Sequence, residues 1–237
     1  MNLYPKLELL ITPGLAHAQD QYAKLLERWT KPGGRWLDVG CGQSVIPSWV
    51  RITPELISRN RFGIDPYFSS LRMNPVPCKA EARIEWLPFA DCTFDIVTAN
   101  MVVEHLKEPA LQFREIWRVL KPGGLFIFHT TNAEGYYVLM ARLIPEGLKN
   151  RLVSVLDGRT QEEVFPAWYR VNTVRAIHET AQMAGLSVVQ VAPILSRATF
   201  QRLPLVAAFE LVCLRVLGHP KFERFRTNLL AVLTRSA

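Results

Sequence analysis

The stretch Trp36–Ser44, WLDVGCGQS, decides the fold of this chain. A buried strand is predicted to end at Asp38, and Gly40 and Gly42 then open a turn into the next helix. Glycines let the backbone pass close to a ligand at the carboxyl edge of a sheet, where α/β folds bind cofactors. The stretch therefore predicts a cofactor site directly after the first strand. A tight turn that holds no ligand is the alternative interpretation.

The residues after this turn argue against two other nucleotide-binding motifs. The nicotinamide dinucleotide fingerprint needs a third glycine three residues after the second, and this chain has Val45 there. A P-loop needs a Gly-Lys-Ser or Gly-Lys-Thr sequence, which does not follow the turn. The first motif is thereby weakened and the second excluded.

Apolar runs of strand length recur along the chain, at RWLDVG, RFGID, FDIVTAN and GLFIFHT. Their apolar residues run on rather than alternate, which is typical of strands covered on both faces. The stretch PALQFREIWRVL between them has helical spacing, starts at Pro109 and is ended by KPGG. Later, NTVRAIHETAQMAG predicts a helix that Asn172 caps and Gly185 stops, and LSVVQVA and NLLAVLTR predict strands. The alternation predicts an α/β, doubly wound parallel sheet with helices on both faces.

Composition and charge limit the class of protein without naming its partner. The chain has 237 residues, of which 49% are hydrophobic and 21% charged, as in ordinary globular proteins. Its four cysteines form no Cys-x-x-Cys pair, which argues against a zinc site or a disulfide framework and fits a reducing compartment. The start of the chain lacks signal-peptide character, so a cytoplasmic location is expected. The net charge of +7 permits nucleic acid, an anionic membrane surface or an anionic substrate.

A second acid supports a cofactor site at the same edge of the sheet. Asp65 ends the strand RFGID, from which a carboxylate can accept both hydroxyls of an adenosine ribose. It could instead cap a helix in which Pro66 takes the first position, and the two roles are compatible.

In order and at normal spacing, the stretches WLDVGCG, GIDP, LPFADCTFDIVTAN, VVEHL, EIWRVLKPGG and FHTTN resemble class I S-adenosylmethionine-dependent methyltransferases. The resemblance covers Arg35 to Asn132 and extends to the type 11-like group that includes quinone-biosynthesis enzymes. It implies a Rossmann-like, seven-stranded sheet, mostly parallel with an antiparallel last strand. It also implies S-adenosylmethionine as the cofactor and methyl transfer to a small-molecule acceptor.

The resemblance also implies which residues lie at the cofactor. The first motif would hold the methionine part, Asp65 the ribose, the segment before LPF the adenine, and the loop after the fourth strand the sulfonium. The cofactor-binding residues expected on this basis are Asp38, Gly40, Cys41, Gly42, Asp65, Pro66, Ile84, Glu85, Asn100 and Met101. The chain departs from the family where Arg83 and Ile84 replace the usual Asp-Ala. Glu81, Glu85 or the backbone of Ile84 would then contact the adenine.

Methyl transfer depends chiefly on positioning, and a general base is needed only when the acceptor must lose a proton. Candidates for that base are His105, His129 and Tyr169, and for each the alternative is a structural role. Residues expected to contact the acceptor are Tyr22, His105, Tyr136, Tyr169 and Arg170. No Asn-Pro-Pro-Tyr loop follows the fourth strand, which argues against methylation of DNA bases by the familiar route. A nucleic-acid partner is not expected. No metal site is predicted.

We expect one domain over residues 1–237, with three additions to the sheet. They are an N-terminal helical lid over residues 1–30, a helical cap insertion over 133–171 and an apolar helix within 200–220. The apolar helix is too short to span a bilayer and is either an interfacial helix or a core or dimer helix. Two other functions stay open: a catalytically silent cofactor-binding or scaffold protein, and a peripheral membrane enzyme that methylates a lipid or prenylated quinone. The oligomeric state is not predicted.

Overall fold

The computed structural model describes residues 3–31, 33–43, 60–143, 166–201 and 203–236. The helix predicted directly after the glycine turn lies outside the described residues. The same holds for residues 144–165, the middle of the predicted cap.

Within these ranges, seven strands form one sheet in the order β3-β2-β1-β4-β5-β7-β6. The strands are β1 Trp36–Val39, β2 Arg61–Asp65, β3 Cys78–Glu81, β4 Phe94–Asn100, β5 Leu120–Thr131, β6 Leu186–Ile194 and β7 Asn228–Arg235. The pairs among β1 to β5 are parallel, and β7 is antiparallel to both of its neighbours. The predicted mostly parallel sheet with an antiparallel last strand is confirmed.

The strand predictions hold, with one strand missed and one longer than expected. Cys78–Glu81 forms the edge strand β3, whose mostly exposed residues CKAE give no apolar run to detect. The segment KPGG was expected only to end the preceding helix, but it already belongs to β5, which begins at Leu120. The pairing of β5 with β4 shifts register between Phe94 and Ile96, which accommodates this early start.

The described helices are α1 Tyr4–Ile11, α2 Ala18–Trp29, α3 Phe68–Met73, α4 Pro109–Val119, α5 Tyr136–Leu143, α6 Val174–Ala184 and α7 Pro204–Leu217. The predicted cap of α6 is corrected. Thr173, not Asn172, accepts the hydrogen bond from the Ala176 amide, because its hydroxyl stands at the position that reaches the third helical residue. Asn172 points inward instead and donates to the Thr130 hydroxyl and the Thr131 carbonyl.

The core lies on both faces of the sheet, and β5 contributes alternate residues to each. Phe126 and Phe128 both pack edge-on against Phe113 of α4 on one face. Ile127 belongs to the cluster that α2 covers on the other face, and the ring of His129 lies 5.9 Å from that of Tyr22 in α2. Because side chains alternate along a strand, β5 directs His129 to the α2 side at the carboxyl end of the sheet.

A third cluster joins α1 and α7 beside the sheet. The buried Glu210 of α7 anchors it, accepting hydrogen bonds from the amides of Thr199 and Phe200 at 2.9 and 3.0 Å. The same carboxylate accepts from the Tyr136 hydroxyl at 2.8 Å. In the part of the chain that the structure describes, no helix combines the length and apolar character needed to cross a bilayer.

We expect Glu210→Ala to lower the free energy of unfolding by about 2 kcal/mol or more, because two backbone amides and a tyrosine hydroxyl lose their acceptor. Urea unfolding followed by circular dichroism measures this. Glu223→Ala removes an exposed acid from the same region and should change stability by less than about 0.5 kcal/mol. Equal effects of the two substitutions would contradict the assigned role of Glu210.

Candidate active site

The glycine turn after β1 has a left-handed backbone at two positions, with φ of 65° at Gly40 and 50° at Gly42. A Cβ atom at Gly40 would collide with the Val102 side chain, so this glycine lets the turn pack against the loop after β4. Among the described residues, which do not include 44–59, a Cβ atom at Gly42 would meet nothing within 4 Å. With respect to this part of the chain, Gly42 leaves room at the carboxyl edge of the sheet for a ligand to approach the backbone.

Two side chains hold this turn in place. Asn74 donates to the carbonyl oxygens of Cys41 and Gly42 at 3.0 and 2.9 Å. Asp65 accepts a hydrogen bond from the Gly42 amide at 2.9 Å. The Cys41 side chain is buried and faces Gly63, and burial raises the pKa of its thiol to about 12. Cys41 can therefore offer a ligand only its backbone.

The Asp65 carboxylate has a structural role and retains capacity for a ligand. Its second oxygen accepts from the Tyr67 amide at 2.9 Å, which orders the residues before α3 but does not cap that helix, so the capping alternative is wrong. A carboxylate offers about four acceptor positions, so two remain for ribose hydroxyls. The position predicted for Pro66 is corrected: α3 begins at Phe68 with Tyr67 as its N-cap, so Pro66 precedes the helix instead of opening it.

Asp38 is a buried carboxylate whose hydrogen-bond partner is the Thr98 hydroxyl. Burial raises its pKa to about 7, and the Thr98 hydrogen bond and the nearby Arg61 guanidinium only partly oppose this effect. A cationic group placed beside Asp38 would restore its charge, because an opposite charge favours the ionised form.

The ends of α2, β4 and β5 are tied together at this edge. Asn100 lies opposite His129 in the parallel register, and its amide oxygen accepts from the His129 Nδ1–H at 2.8 Å. Its amide nitrogen donates to the Gln19 side chain of α2 at 3.3 Å. The Met101 amide donates to the His129 carbonyl at 2.8 Å, and Met101 has a left-handed backbone. These bonds give the loop after β4 a defined position.

The residues expected at the adenine are distributed over two elements. Ile84 is buried, and the Glu85 carboxylate accepts from the Gln112 side chain of α4 at 2.8 Å. Glu81 ends β3 opposite Asp65, where it is exposed at the carboxyl edge. Glu85 is thus engaged with α4, whereas Glu81 and the backbone at Ile84 remain at the edge.

A cavity of about 490 Å³ opens next to this cluster, on the α2 face of the sheet. It lies between α2, the ends of β4 and β5, α5, the segment before α7 and the start of β7. Its lining residues are His17, Ala18, Gln19, Asp20, Met101, His129, Thr131, Tyr137, Tyr169, Ser196, Arg197, Thr199, Thr227 and Asn228.

Two of the three predicted catalytic candidates line this cavity. His129 is buried, and among the described residues its Nε2 has no hydrogen-bond partner. Burial lowers the pKa of His129 to about 4, so its Nε2 carries a free lone pair at neutral pH. Burial, and then the Glu104 carboxylate, raise the pKa of the Tyr169 phenol, which remains protonated and can donate a hydrogen bond.

His105 is placed differently from the prediction. Its Nδ1–H donates to the Pro166 carbonyl at 2.9 Å, and it is not among the residues lining the cavity. The neighbouring Glu104 carbonyl accepts from the amides of Trp168 and Tyr169 at 2.8 and 3.1 Å. His105 and Glu104 therefore position the segment that carries Tyr169, because both bind its backbone.

Three predicted acceptor contacts are not supported by the positions of their side chains. Tyr22 is buried behind His129, and the Tyr136 hydroxyl is directed to Glu210 while its neighbour Tyr137 lines the cavity. Arg170 donates to the Lys107 carbonyl at 2.7 Å and lies over the Trp168 ring, beside a separate groove. Tyr169, whose backbone is left-handed, and the adjacent Arg170 thus direct their side chains to different places, the first to the cavity and the second to the groove.

Several residues of the site were not predicted from the sequence. Asn74, which holds the glycine turn, belongs to a segment without a recognisable motif, and Thr98, which binds Asp38, lies within the motif LPFADCTFDIVTAN but was assigned no role. Arg197 and Asn228 reach the cavity from the segment after β6 and from the start of β7. Only the three-dimensional arrangement brings these elements to the end of β5.

Comparison with known proteins agrees with this geometry. Residues 37–128 match the family described as a methyltransferase domain. Malonyl-[acyl-carrier protein] O-methyltransferase of Erwinia billingiae is 27% identical over 115 residues, which are 48% of this chain and 46% of that protein. A mitochondrial arginine hydroxylase of Danio rerio is 36% identical over 112 residues, which are 45% of this chain and 34% of that protein. The chain thus spans about half the length, or less, of these curated relatives.

The fold is also found among solved structures. The S-adenosylmethionine-dependent methyltransferase of Methanosarcina mazei superposes with a TM-score of 0.58 at 15% identity, covering 90% of this chain and 97% of that one. At this identity the likeness concerns the fold. The family match over residues 37–128, the sheet order and the glycine turn together support a class I S-adenosylmethionine-dependent methyltransferase domain.

Proposed function

We propose that this protein transfers the methyl group of S-adenosylmethionine to a small-molecule acceptor held in the cavity beside His129. The observation that carries the proposal is the position of His129. It lies in register with Asn100 at the predicted sulfonium end of the site, it borders the cavity, and its buried Nε2 has no hydrogen-bond partner among the described residues. A methyl donor and a proton acceptor would therefore meet at one edge of the sheet.

The glycine turn and the acids beside it would hold the cofactor, which supplies a methyl group on a sulfonium for in-line displacement. The open side of Gly42 leaves room for the cofactor against the backbone. The two unused acceptor positions of Asp65 suit the ribose hydroxyls, and the buried Asp38 suits the amino group of the methionine part. Glu81 and the Ile84 backbone are the remaining candidates for the adenine.

On the acceptor side, the residues orient the nucleophile and receive its proton. His129 Nε2 can accept a hydrogen bond from a hydroxyl or acid group, because Asn100 fixes the proton on Nδ1. As the acceptor oxygen or nitrogen gains the methyl group, its proton would pass to this Nε2. Tyr169, kept protonated, would donate a hydrogen bond that orients the acceptor. The low pKa of His129 makes positioning the larger contribution.

The lining of the cavity favours an amphiphilic acceptor with an anionic group. Ala18, Met101 and Tyr137 provide an apolar wall. Arg197 lies in the wall without an ion-pair partner among the described residues, and a guanidinium suits a carboxylate or phosphate. Asp20 in the same wall limits how much negative charge the cavity accepts.

Two other functions are distinguishable from this one. A silent cofactor-binding protein would bind S-adenosylmethionine without methylating any acceptor tested. The Danio rerio relative, named as an arginine hydroxylase, shows that related domains serve other activities. A peripheral membrane enzyme that methylates a lipid or prenylated quinone is favoured by the exposed apolar side chains of α7, such as Leu205 and Phe209.

His129→Ala should reduce methyl transfer by about 100-fold, since the proton acceptor is lost, while cofactor affinity stays within a few-fold. The assay follows transfer of labelled methyl groups to a panel of hydroxylated aromatic acids and fatty acids. His178→Ala, an exposed histidine on α6, serves as the matched control and should leave transfer unchanged. Full activity of His129→Ala would remove His129 from the mechanism. Cofactor binding without transfer by the unmodified protein would favour the silent alternative.

Gly42→Ala should weaken S-adenosylmethionine binding by about 10-fold or more, because the added methyl group enters the space proposed for the cofactor. Isothermal titration calorimetry measures the affinity. Gly123→Ala is a matched control: Gly123 also has a left-handed backbone, with φ of 75°, and open space around its Cβ, but it lies at the opposite edge of the sheet. Both variants should lose similar stability. An equal loss of affinity in the two variants would show that backbone strain, and not contact with the cofactor, explains the effect.

In the absence of cofactor, Asp38→Asn should be more stable than the unmodified protein, and this difference in the free energy of unfolding should be larger at pH 8 than at pH 5. The pKa of Asp38 is about 7 in the folded state and near 3.8 when unperturbed. The folded state thus binds the Asp38 proton more tightly than the unfolded state does. The free energy of unfolding of the unmodified protein therefore falls as pH rises from about 4 to about 7. Asparagine has no such dependence, and the difference from the unmodified protein should grow over that window.

Urea unfolding at the two pH values tests this prediction, with Asp95→Asn as the control. Although burial acts in the opposite direction, hydrogen bonds from Lys121 and the Arg35 amide lower the pKa of Asp95. Its contribution is therefore complete above its unfolded pKa and constant between pH 5 and pH 8. An Asp38→Asn effect as constant as that of Asp95→Asn would refute the assigned protonation of Asp38.

A further inference from the structure

Helix α7 is apolar on the side that faces the protein and on the side that faces away from it. Its inner side buries Ala207, Leu211 and Leu214 completely. At 100° per residue, Leu205, Phe209, Val212 and Val216 form a stripe on the opposite side. All four are exposed, Leu205 by 89% and Phe209 by 72%. A helix that is apolar all round is normally covered on both sides.

Helix α1 packs beside α7 and repeats this arrangement. It buries Tyr4 and exposes Leu9 by 74% and Leu10 by 76%. The exposed stripe of α7 together with Leu9 and Leu10 is named the α1–α7 surface. Large apolar side chains exposed on two neighbouring helices mark a candidate binding surface.

The charges around the α1–α7 surface are mostly positive. Lys6 lies between Leu9 and Leu10 on the exposed side of α1, and Arg215 and Lys221 are exposed at the end of α7 and just after it. The acids of the same elements are largely withdrawn. Glu8 binds the Tyr4 hydroxyl and His17, and Glu210 is buried, which leaves Glu223 as the exposed carboxylate of α1, α7 and the turn that follows.

We propose that the α1–α7 surface docks on an anionic lipid bilayer. Apolar side chains on one face of a helix enter the boundary between headgroups and acyl chains, and neighbouring lysines contact anionic headgroups. A second copy of this chain fits the surface less well. A two-fold contact would bring two sets of Lys6, Arg215 and Lys221 into one interface, with Glu223 as the exposed carboxylate to offset them.

The docked surface would lie next to the acceptor cavity. Arg197 and Thr199 line the cavity in the segment that leads into α7, and Glu210 of α7 holds the Thr199 amide. The acceptor would therefore be an amphiphile that enters from the membrane surface. This last step rests on the proposed methyl transfer, whereas the docking itself does not.

Co-sedimentation of the full chain with lipid vesicles, in the absence of cofactor, tests the proposal. The unmodified protein should bind vesicles of phosphatidylcholine mixed with phosphatidylglycerol, and bind vesicles of phosphatidylcholine alone at least about 10-fold more weakly. Leu205→Ser/Phe209→Ser should lose binding to both. Lys6→Glu/Lys221→Glu should lose the preference for anionic vesicles, and raised salt should have the same effect on the unmodified protein.

Matched controls carry the same substitutions elsewhere on the surface. Leu111→Ser/Met183→Ser changes exposed apolar residues of α4 and α6, and Lys24→Glu reverses an exposed charge on α2. These controls should bind vesicles as the unmodified protein does. Cofactor affinity, measured on every variant, should remain unchanged and shows that each is folded. If the unmodified protein failed to bind the cofactor, the proposed function would be refuted but the docking proposal would not.

Three results would overturn the docking proposal. The first is failure of the folded, unmodified protein to bind anionic vesicles. The second is an equal loss of binding in the control variants. The third is a dimer in solution, measured by light scattering, that Leu205→Ser/Phe209→Ser converts to a monomer, since a second copy would then cover the surface.

Discussion

The hydrogen bond from the Gly42 amide to the Asp65 carboxylate ties the end of β1 to the end of β2, and the candidate site is built around it. It holds a left-handed turn whose outer side is open, while Asn74 binds the carbonyls of the same turn. The amides and carbonyls of the turn are thus partly satisfied within the protein, and the free space faces the edge of the sheet. A cofactor bound there would contact a backbone that is already ordered, which lowers the entropic cost of binding.

The second half of the site depends on the parallel pairing of β4 with β5. That register sets Asn100 against His129, and the alternation of β5 directs His129 toward α2 and the cavity. The same burial that makes His129 neutral also leaves its Nε2 without a hydrogen-bond partner in the described part of the chain. A buried polar atom without a hydrogen bond is costly, and an acceptor that donates to it would recover that cost on binding.

The fold was largely predictable because its determinants are local. Continuous apolar runs, Pro109 at a helix start and Gly185 at a helix end act within a few residues of themselves. The edge strand β3 escaped prediction because an exposed strand needs no apolar run, and the cap of α6 was misplaced by one residue because Asn172 and Thr173 are both good capping residues.

The site was predictable only where a motif crosses it. A ligand site at the ends of β1 and β2 was predicted from the stretch Trp36 to Gly42 and from the acid Asp65. In the structure Gly42 and Asp65 do meet there. The acceptor side depends on side-chain direction across distant elements. Arg170 and Tyr136 therefore turned to other partners, whereas Arg197 and Tyr137 reached the cavity. No spacing in the sequence encodes that choice, because it follows from packing.

The most direct test of this account is a crystal structure of the protein with S-adenosylhomocysteine. The account predicts the ligand against Gly42, with its ribose hydroxyls on Asp65, its amino group beside Asp38 and its sulfur directed toward His129 and the cavity. A ligand seated elsewhere, or one whose sulfur points away from the cavity that His129 borders, would contradict it.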